Sequence, residues 1–203
     1  MLLKSGGNII KSGSSLLKRS ENGNVLYQLN LDAFNTTTLR DGNIQWSTSD
    51  RAPSLEKRDE RLIIRFSEGE KQYLWLNLIE QLNILSYPSY SIEYTYGGTL
   101  PWMSFFGLDT CSIRGKQGTV DGIWTRRNEG WSTAFSLSVP VPITCKALVT
   151  QNEATSTVEI YINGSLLGTT TVDTPDSITH NVDYNGSAAN GTIELYSLKI
   201  EKL

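Results

Sequence analysis

The chain has 203 residues, 38% of them hydrophobic and 19% charged, with a net charge of −3. That balance excludes a disordered chain, and no run approaches the roughly 20 apolar residues of a membrane-spanning helix. Two cysteines, Cys111 and Cys145, are too few for a disulfide framework, and a single histidine, His180, excludes a multi-histidine metal site within one chain.

The charge is unevenly spread. Residues 1–23 carry Lys4, Lys11, Lys18 and Arg19 against Glu21, +3 in all, which leaves −6 on the remainder. A small basic arm on an acidic body suits docking to another surface, and it is too weakly basic to argue nucleic-acid binding. Leu2-Leu3 are followed at once by Lys4-Ser5-Gly6-Gly7, so there is no apolar signal core. The expectation is a protein made in the cytoplasm without export, or one whose leader has been removed.

The arm contains a seven-residue repeat, LLKSGGN, IIKSGSS, LLKRSEN, with apolar pairs at Leu2-Leu3, Ile9-Ile10 and Leu16-Leu17. A coiled coil needs apolar residues three and four apart, and each glycine in a helix interior costs about 1 kcal/mol. Short extended rungs between Gly/Ser bends fit better. So few apolar side chains cannot close a core alone, so the arm is expected to stack on copies of itself or sit on a partner.

Asn24 to Phe34 (NVLYQLNLDAF) reads as the first strand of the body, with Val25, Tyr27, Leu29 and Leu31 on one parity. Residues 35–60 are turn-rich, and the charge run from Glu56 to Arg61 reads as a solvated loop. Arg61 to Phe66 and Gln72 to Leu78 are strands, with at most a helical turn near 78–83 before Pro88 breaks the chain. Ser91 to Tyr96, Trp102 to Leu108, Thr110 to Arg114, Val120 to Arg126, Ser132 to Val139 and Ile143 to Thr150 follow at near-regular spacing. Cys145 falls in the apolar alternation of the last of these and reads as a small buried hydrophobe; a bridge to Cys111 is the alternative. Thr157 to Ile162, the turn Asn163-Gly164 and Ser165 to Val172 make a tight hairpin with two positive-φ residues. After a polar spacer, Thr192 to Ile200 is the last strand. Its apolar residues change parity between Leu195 and Leu198, which predicts a bulge near Tyr196-Ser197 or a strand buried on both faces. The spacing and turn chemistry predict an all-β, antiparallel two-sheet sandwich.

The order YSIEYTY, PWMSFFGL, VEIYINGSLLGTTTV and NGTIELYSLKI resembles the concanavalin A-like lectin/glucanase (laminin-G-like) jelly roll over residues 24–203. The resemblance implies that the last strand pairs near the first, Thr192–Ile200 beside Asn24–Leu31. That sets this end as the base of the domain, away from any glycan contact. The repeat of residues 1–23 is similar to the starts of head or tail appendage proteins of tailed bacteriophages. It implies an arm that anchors the domain to other virion proteins.

The inventory of side chains argues against catalysis. The glucanase branch carries carboxylates as E-x-D-x-x-E or E-x-D-x-E along one strand, the spacing a retaining mechanism needs, and no stretch here has it. There is no G-x-S-x-G elbow for His180 to serve. Sugar binding needs aromatic faces and a few fixing polar groups. Trp124 and Trp131 flank the loop Arg126-Arg127-Asn128-Glu129-Gly130, and Trp102 is a further aromatic candidate; the competing reading makes these tryptophans core. Tyr94 and Tyr96 share the parity of Ile92 and read as core. Asp109 and Asp121 sit at strand ends where calcium-binding relatives hold their ion, but neither lies in an oxygen-rich motif, so no metal or cofactor is expected. The resulting expectation is a non-enzymatic virion appendage, homo-oligomeric, anchored by residues 1–23 and displaying a lectin-like domain to host-surface glycans. The alternative is a secreted or cell-surface carbohydrate-binding module.

Overall fold

The computed structural model describes residues 11–12, 15–16, 24–67, 72–99, 103–104, 111–116, 118–127, 130–173, 181–186 and 190–203. Of residues 11–12, 15–16, 103–104, 112–116, 121, 126–127, 130–132 and 181–186 it describes the backbone. The chain forms β1 (Lys11–Ser12), β2 (Ser15–Leu16), β3 (Val25–Gln28), β4 (Arg40–Asp41), β5 (Ile44–Gln45), β6 (Ser47–Thr48), β7 (Ser54–Arg58), β8 (Arg61–Phe66) and β9 (Gln72–Asn77). A one-turn helix α1 (Leu78–Leu82) and a 3-10 turn (Ile84–Ser86) lead into β10 (Ser89–Gly98), β11 (Met103–Ser104), β12 (Cys111–Lys116), β13 (Thr119–Arg127) and β14 (Gly130–Pro140). β15 (Ile143–Thr150), β16 (Thr155–Ile162), β17 (Ser165–Asp173), β18 (Asn181–Gly186) and β19 (Gly191–Lys202) complete it.

Most of these strands build two large antiparallel sheets, while β1-β2 and β4-β5 form separate two-stranded pairs. The eight-stranded sheet runs β17-β16-β15-β10-β19-β8-β7, with β3 also paired to β19. The seven-stranded sheet runs β14-β13-β12-β11-β18-β9-β6. The two-residue period of a strand decides what lies between them. Ile143, Cys145, Ala147 and Val149 of β15 face inward, as do Tyr90, Ile92, Tyr94 and Tyr96 of β10 and Val158 and Ile160 of β16; each is at most 1% exposed. Leu74 and Leu76 of β9 and Val120 and Ile123 of β13 meet them from the other sheet. The result is an antiparallel two-sheet jelly-roll sandwich.

β19 lies at the centre of the larger sheet, between β10 on one side and β8 and β3 on the other. Tyr27 stands opposite Ile200, so the last strand does pair with the first. The parity change is resolved by a bulge. Thr95 faces Ser197 and Tyr96 faces Leu195, leaving Tyr196 as the extra residue, so that Leu195 and Leu198 both reach the core. The Asn163-Gly164 turn has φ of 50° and 80°, as a tight hairpin requires. Both cysteines are free and buried, Cys111 in the seven-stranded sheet and Cys145 in the eight-stranded one.

Three readings need correction. The first strand stops at Gln28, because Asn30 starts a turn: its carbonyl accepts from Ala33 and Phe34, and its side chain accepts from the Asp32 and Ala33 N–H groups. Residues 35–60 are not all loop. They contain β4 to β7, and the charge run Glu56 to Arg61 crosses an edge strand, a turn at Asp59-Glu60 and the start of β8. The polar spacer before the last strand contains β18, which pairs with β9 from Asn77 to Gln72. The predicted helical turn is present at Leu78–Leu82, capped by the Asn77 side chain.

Candidate carbohydrate-binding site

The β13–β14 hairpin holds most of the residues the sequence singled out. Its register sets Trp124 opposite Thr133, Arg126 opposite Trp131 and Arg127 opposite Gly130. Ile123 and Thr125 are buried, so the alternate positions Trp124 and Arg126 belong to the outer face of the seven-stranded sheet, across from Thr133 and Trp131. Positions 124 and 131 are therefore diagonal neighbours, a relation that sets Cα atoms about 7–8 Å apart. Arg127 has the parity of Thr125 and falls on the other face of the hairpin.

Trp124 is half-buried, and its indole folds back over its own strand. A Cβ built on Gly122 would meet Trp124 Nε1 at 3.0 Å, so the absent side chain of Gly122 is what leaves room for the ring. Just before Trp124 the register slips. Ile123 faces Phe135 and Trp124 faces Thr133, leaving Ala134 as the extra residue of a bulge. Bulges re-aim side chains at sheet margins. Trp124 is accordingly a residue of the outer surface, whereas Tyr94 and Tyr96 are core, as expected.

Trp102, Glu129, Asp109 and His180 lie outside the described residues, as do Leu2, Leu3, Ile9, Ile10 and Leu17 of the arm; Leu16 lies in β2, opposite Lys11. Among the described residues, no cluster of three His, Cys, Asp or Glu side chains is placed to hold a metal ion, and no helix is long and apolar enough to cross a membrane.

A second concavity was not anticipated. A groove of about 610 Å³ runs over the outer face of the eight-stranded sheet, lined by Glu93, Thr144, Lys146, Leu148 and Tyr161, with Gly164 and Leu203 at its ends. In the sequence these residues are scattered and share no motif; only strand register brings them together.

No family model and no curated protein matches the sequence. Solved structures do match in fold. The binding domain of botulinum neurotoxin DC, in complex with SialylT, aligns with a TM-score of 0.51 at 15% identity, over 86% of this chain and 49% of that one. A sialidase aligns with a TM-score of 0.55 at 7% identity, over 77% of this chain and 17% of that one. Domain 4 of an extracellular arabinanase from Geobacillus stearothermophilus, in complex with arabinotriose, aligns with a TM-score of 0.50 at 14% identity, over 88% of this chain and 92% of that one. This chain thus spans about half of the neurotoxin domain and nearly all of the arabinanase domain. At these identities the likeness is one of fold.

Proposed function

We propose that this chain is a non-enzymatic glycan-binding sandwich whose N-terminal arm fixes it in a larger assembly. The observation that carries the binding half is the register of the β13–β14 hairpin, which puts Trp124, Arg126 and positions 131 and 133 on one outer patch. An indole covers the C–H face of a sugar ring, and Arg126 and Thr133 supply donors for its hydroxyl or carboxylate oxygens. That two fold neighbours were solved with SialylT and with arabinotriose supports the same reading. The seven-residue repeat of apolar pairs supports the anchoring half, and its likeness to phage appendage proteins favours a virion as the assembly. A glycan array with wild type, Trp124→Ala and Trp131→Ala tests the binding: each substitution is expected to weaken binding at least about tenfold, or ~1.4 kcal/mol. Unchanged binding in both overturns the hairpin site. Removal of residues 1–20 is expected to leave the sandwich folded and to abolish assembly; normal incorporation of the truncated chain overturns the anchor.

A further inference from the structure

The groove on the eight-stranded sheet is built from one cross-strand row. Glu93 of β10 faces Lys146 of β15, Lys146 faces Tyr161 of β16, and Tyr161 faces Leu166 of β17. All four lie outward, since their strand neighbours Ile92, Cys145 and Ile160 are core. Thr144 flanks the row on one side, its Oγ1 2.9 Å from Thr95 Oγ1, and Leu148 flanks it on the other.

The polar groups are held in place and still reachable. Lys146 Nζ is 3.3 Å from Glu93 Oε2, with 34% and 41% of the two side chains exposed. One ion pair uses one of three ammonium donors and part of a carboxylate's acceptor capacity, so both charges keep hydrogen-bonding sites for a ligand. The Tyr161 hydroxyl donates to Glu159 Oε2 at 2.8 Å, which fixes the ring beside the Lys146 stem. The accepting carboxylate also pushes the Tyr161 hydroxyl up in pKa. At one end of the groove, a side chain on Gly164 would meet nothing within 4 Å, so an extended ligand can run out past the hairpin. At the other end Leu203 is 63% exposed, its N–H tied to the Ser89 carbonyl.

The lining selects among ligands. An anion would be drawn to Lys146 and opposed by Glu93. An alkyl chain would desolvate the ion pair and give it nothing in return. A saccharide offers a C–H face to Tyr161 and Leu148, and hydroxyls that both donate and accept, which matches one carboxylate, one ammonium and the Thr144 hydroxyl. The volume lies within the range usual for small-ligand sites. We propose that this groove is a second saccharide site, specific for an uncharged oligosaccharide and independent of the tryptophan hairpin on the opposite sheet. Its Leu203 end lies beside the β3–β19 pairing, the end of the domain that the sequence reading kept free of glycan. A sandwich with sugar contacts on both broad faces can bridge two glycans.

The test is an amide NMR titration of the full chain with arabinotriose, maltotriose and cellotriose, and with sialyllactose as the acidic probe. A neutral sugar is expected to shift the amides of Glu93, Thr144, Lys146 and Tyr161, with affinity falling at least about tenfold in Tyr161→Ala and in Lys146→Met. Lys146→Met keeps the apolar stem and Tyr161→Phe keeps the ring, so retained amide dispersion in these variants separates lost contacts from lost fold. The groove site is overturned if none of the three neutral sugars shifts those amides at millimolar concentration. It is equally overturned if the shifts survive both substitutions, if sialyllactose alone produces them, or if they are confined to the Trp124–Thr133 region.

Discussion

Gly98 ends β10 at a φ of +105°, where side-chain-bearing residues are strained. A Cβ there would overlap the Thr192 carbonyl oxygen and stand 2.8 Å from its carbon, and both belong to the central strand β19. Backbone in the middle of a sheet cannot step aside, so Gly98→Ala is expected to cost about 3 kcal/mol, lowering Tm by roughly 6–12 °C. Gly164 is the control. Its φ is +80°, but a Cβ there has no neighbour within 4 Å, so Gly164→Ala should cost only about 1 kcal/mol of backbone strain. Equal losses in thermal melts of the two would show that strain alone, and not the approach to β19, makes Gly98 necessary. Tyr27 is a second residue-scale constraint. Its hydroxyl donates to Asp41 Oδ2 at 2.9 Å and accepts from Trp46 Nε1 at 3.2 Å, while the Asn30 N–H also donates to Asp41 Oδ2 at 2.7 Å. This trio fastens the loop that carries Trp46 and Phe34 into the core. Tyr27→Phe removes a donor from a buried carboxylate and should cost about 1–3 kcal/mol in urea denaturation, more than a lone methyl-scale packing change would.

The β7 edge of the larger sheet is guarded by charge. β7 carries Glu56, Lys57 and Arg58, all exposed, with Arg65 Nη2 on Glu56 Oε2 at 2.9 Å and Lys57 Nζ on the Asp32 carbonyl at 3.1 Å. Charges along an edge prevent pairing with another chain. The triple change Glu56→Thr, Lys57→Val, Arg58→Thr is therefore expected to leave the melting curve within about 0.5 kcal/mol of wild type while promoting association, visible as light scattering well below the unfolding midpoint. Scattering that tracks wild type would remove the protective role. The same charges explain why β7 was illegible in the sequence: an edge strand with one half-buried residue, Leu55, has no apolar alternation to betray it. β18 was hidden for a related reason, its NVDYNG reading as turn chemistry because its place in the sheet comes from pairing with β9 rather than from its own pattern. Where one face is buried the sequence was legible to the residue, as at Ile143–Thr150, whose bounds match, and at the Leu195–Leu198 parity change, which became a bulge. The hairpin tryptophans stood out in the sequence because indoles are conspicuous. The groove did not, because Glu93, Lys146 and Tyr161 are scattered by 53 and 15 residues in the chain and meet only through register.

At the scale of the molecule, neither sheet is a contiguous piece of chain. The chain runs from β6 in the smaller sheet to β7 and β8 in the larger, back to β9, across to β10, then through β11 to β14, β15 to β17, β18 and β19 in turn. Each passage ties one sheet's strands to the other's, so the two sheets are expected to open together. The buried cysteines make this measurable. Burial pushes the Cys111 thiol up to about 12 and the Cys145 thiol higher still, so neither supplies appreciable thiolate near pH 8 in the folded state. Iodoacetamide in native buffer should therefore leave both unmodified, and labelling should begin only as the sandwich opens. Cys111 reports the seven-stranded sheet and Cys145 the eight-stranded one. With the two sites followed separately by peptide mass spectrometry across a urea series, both are expected to become reactive together, at one midpoint that coincides with the loss of tryptophan fluorescence. If Cys111 labelled at urea concentrations well below those needed for Cys145, the smaller sheet would be a separate opening unit despite its interleaved strands. The hairpin site on that sheet would then sit on the less stable half of the sandwich, and the groove on the more stable one.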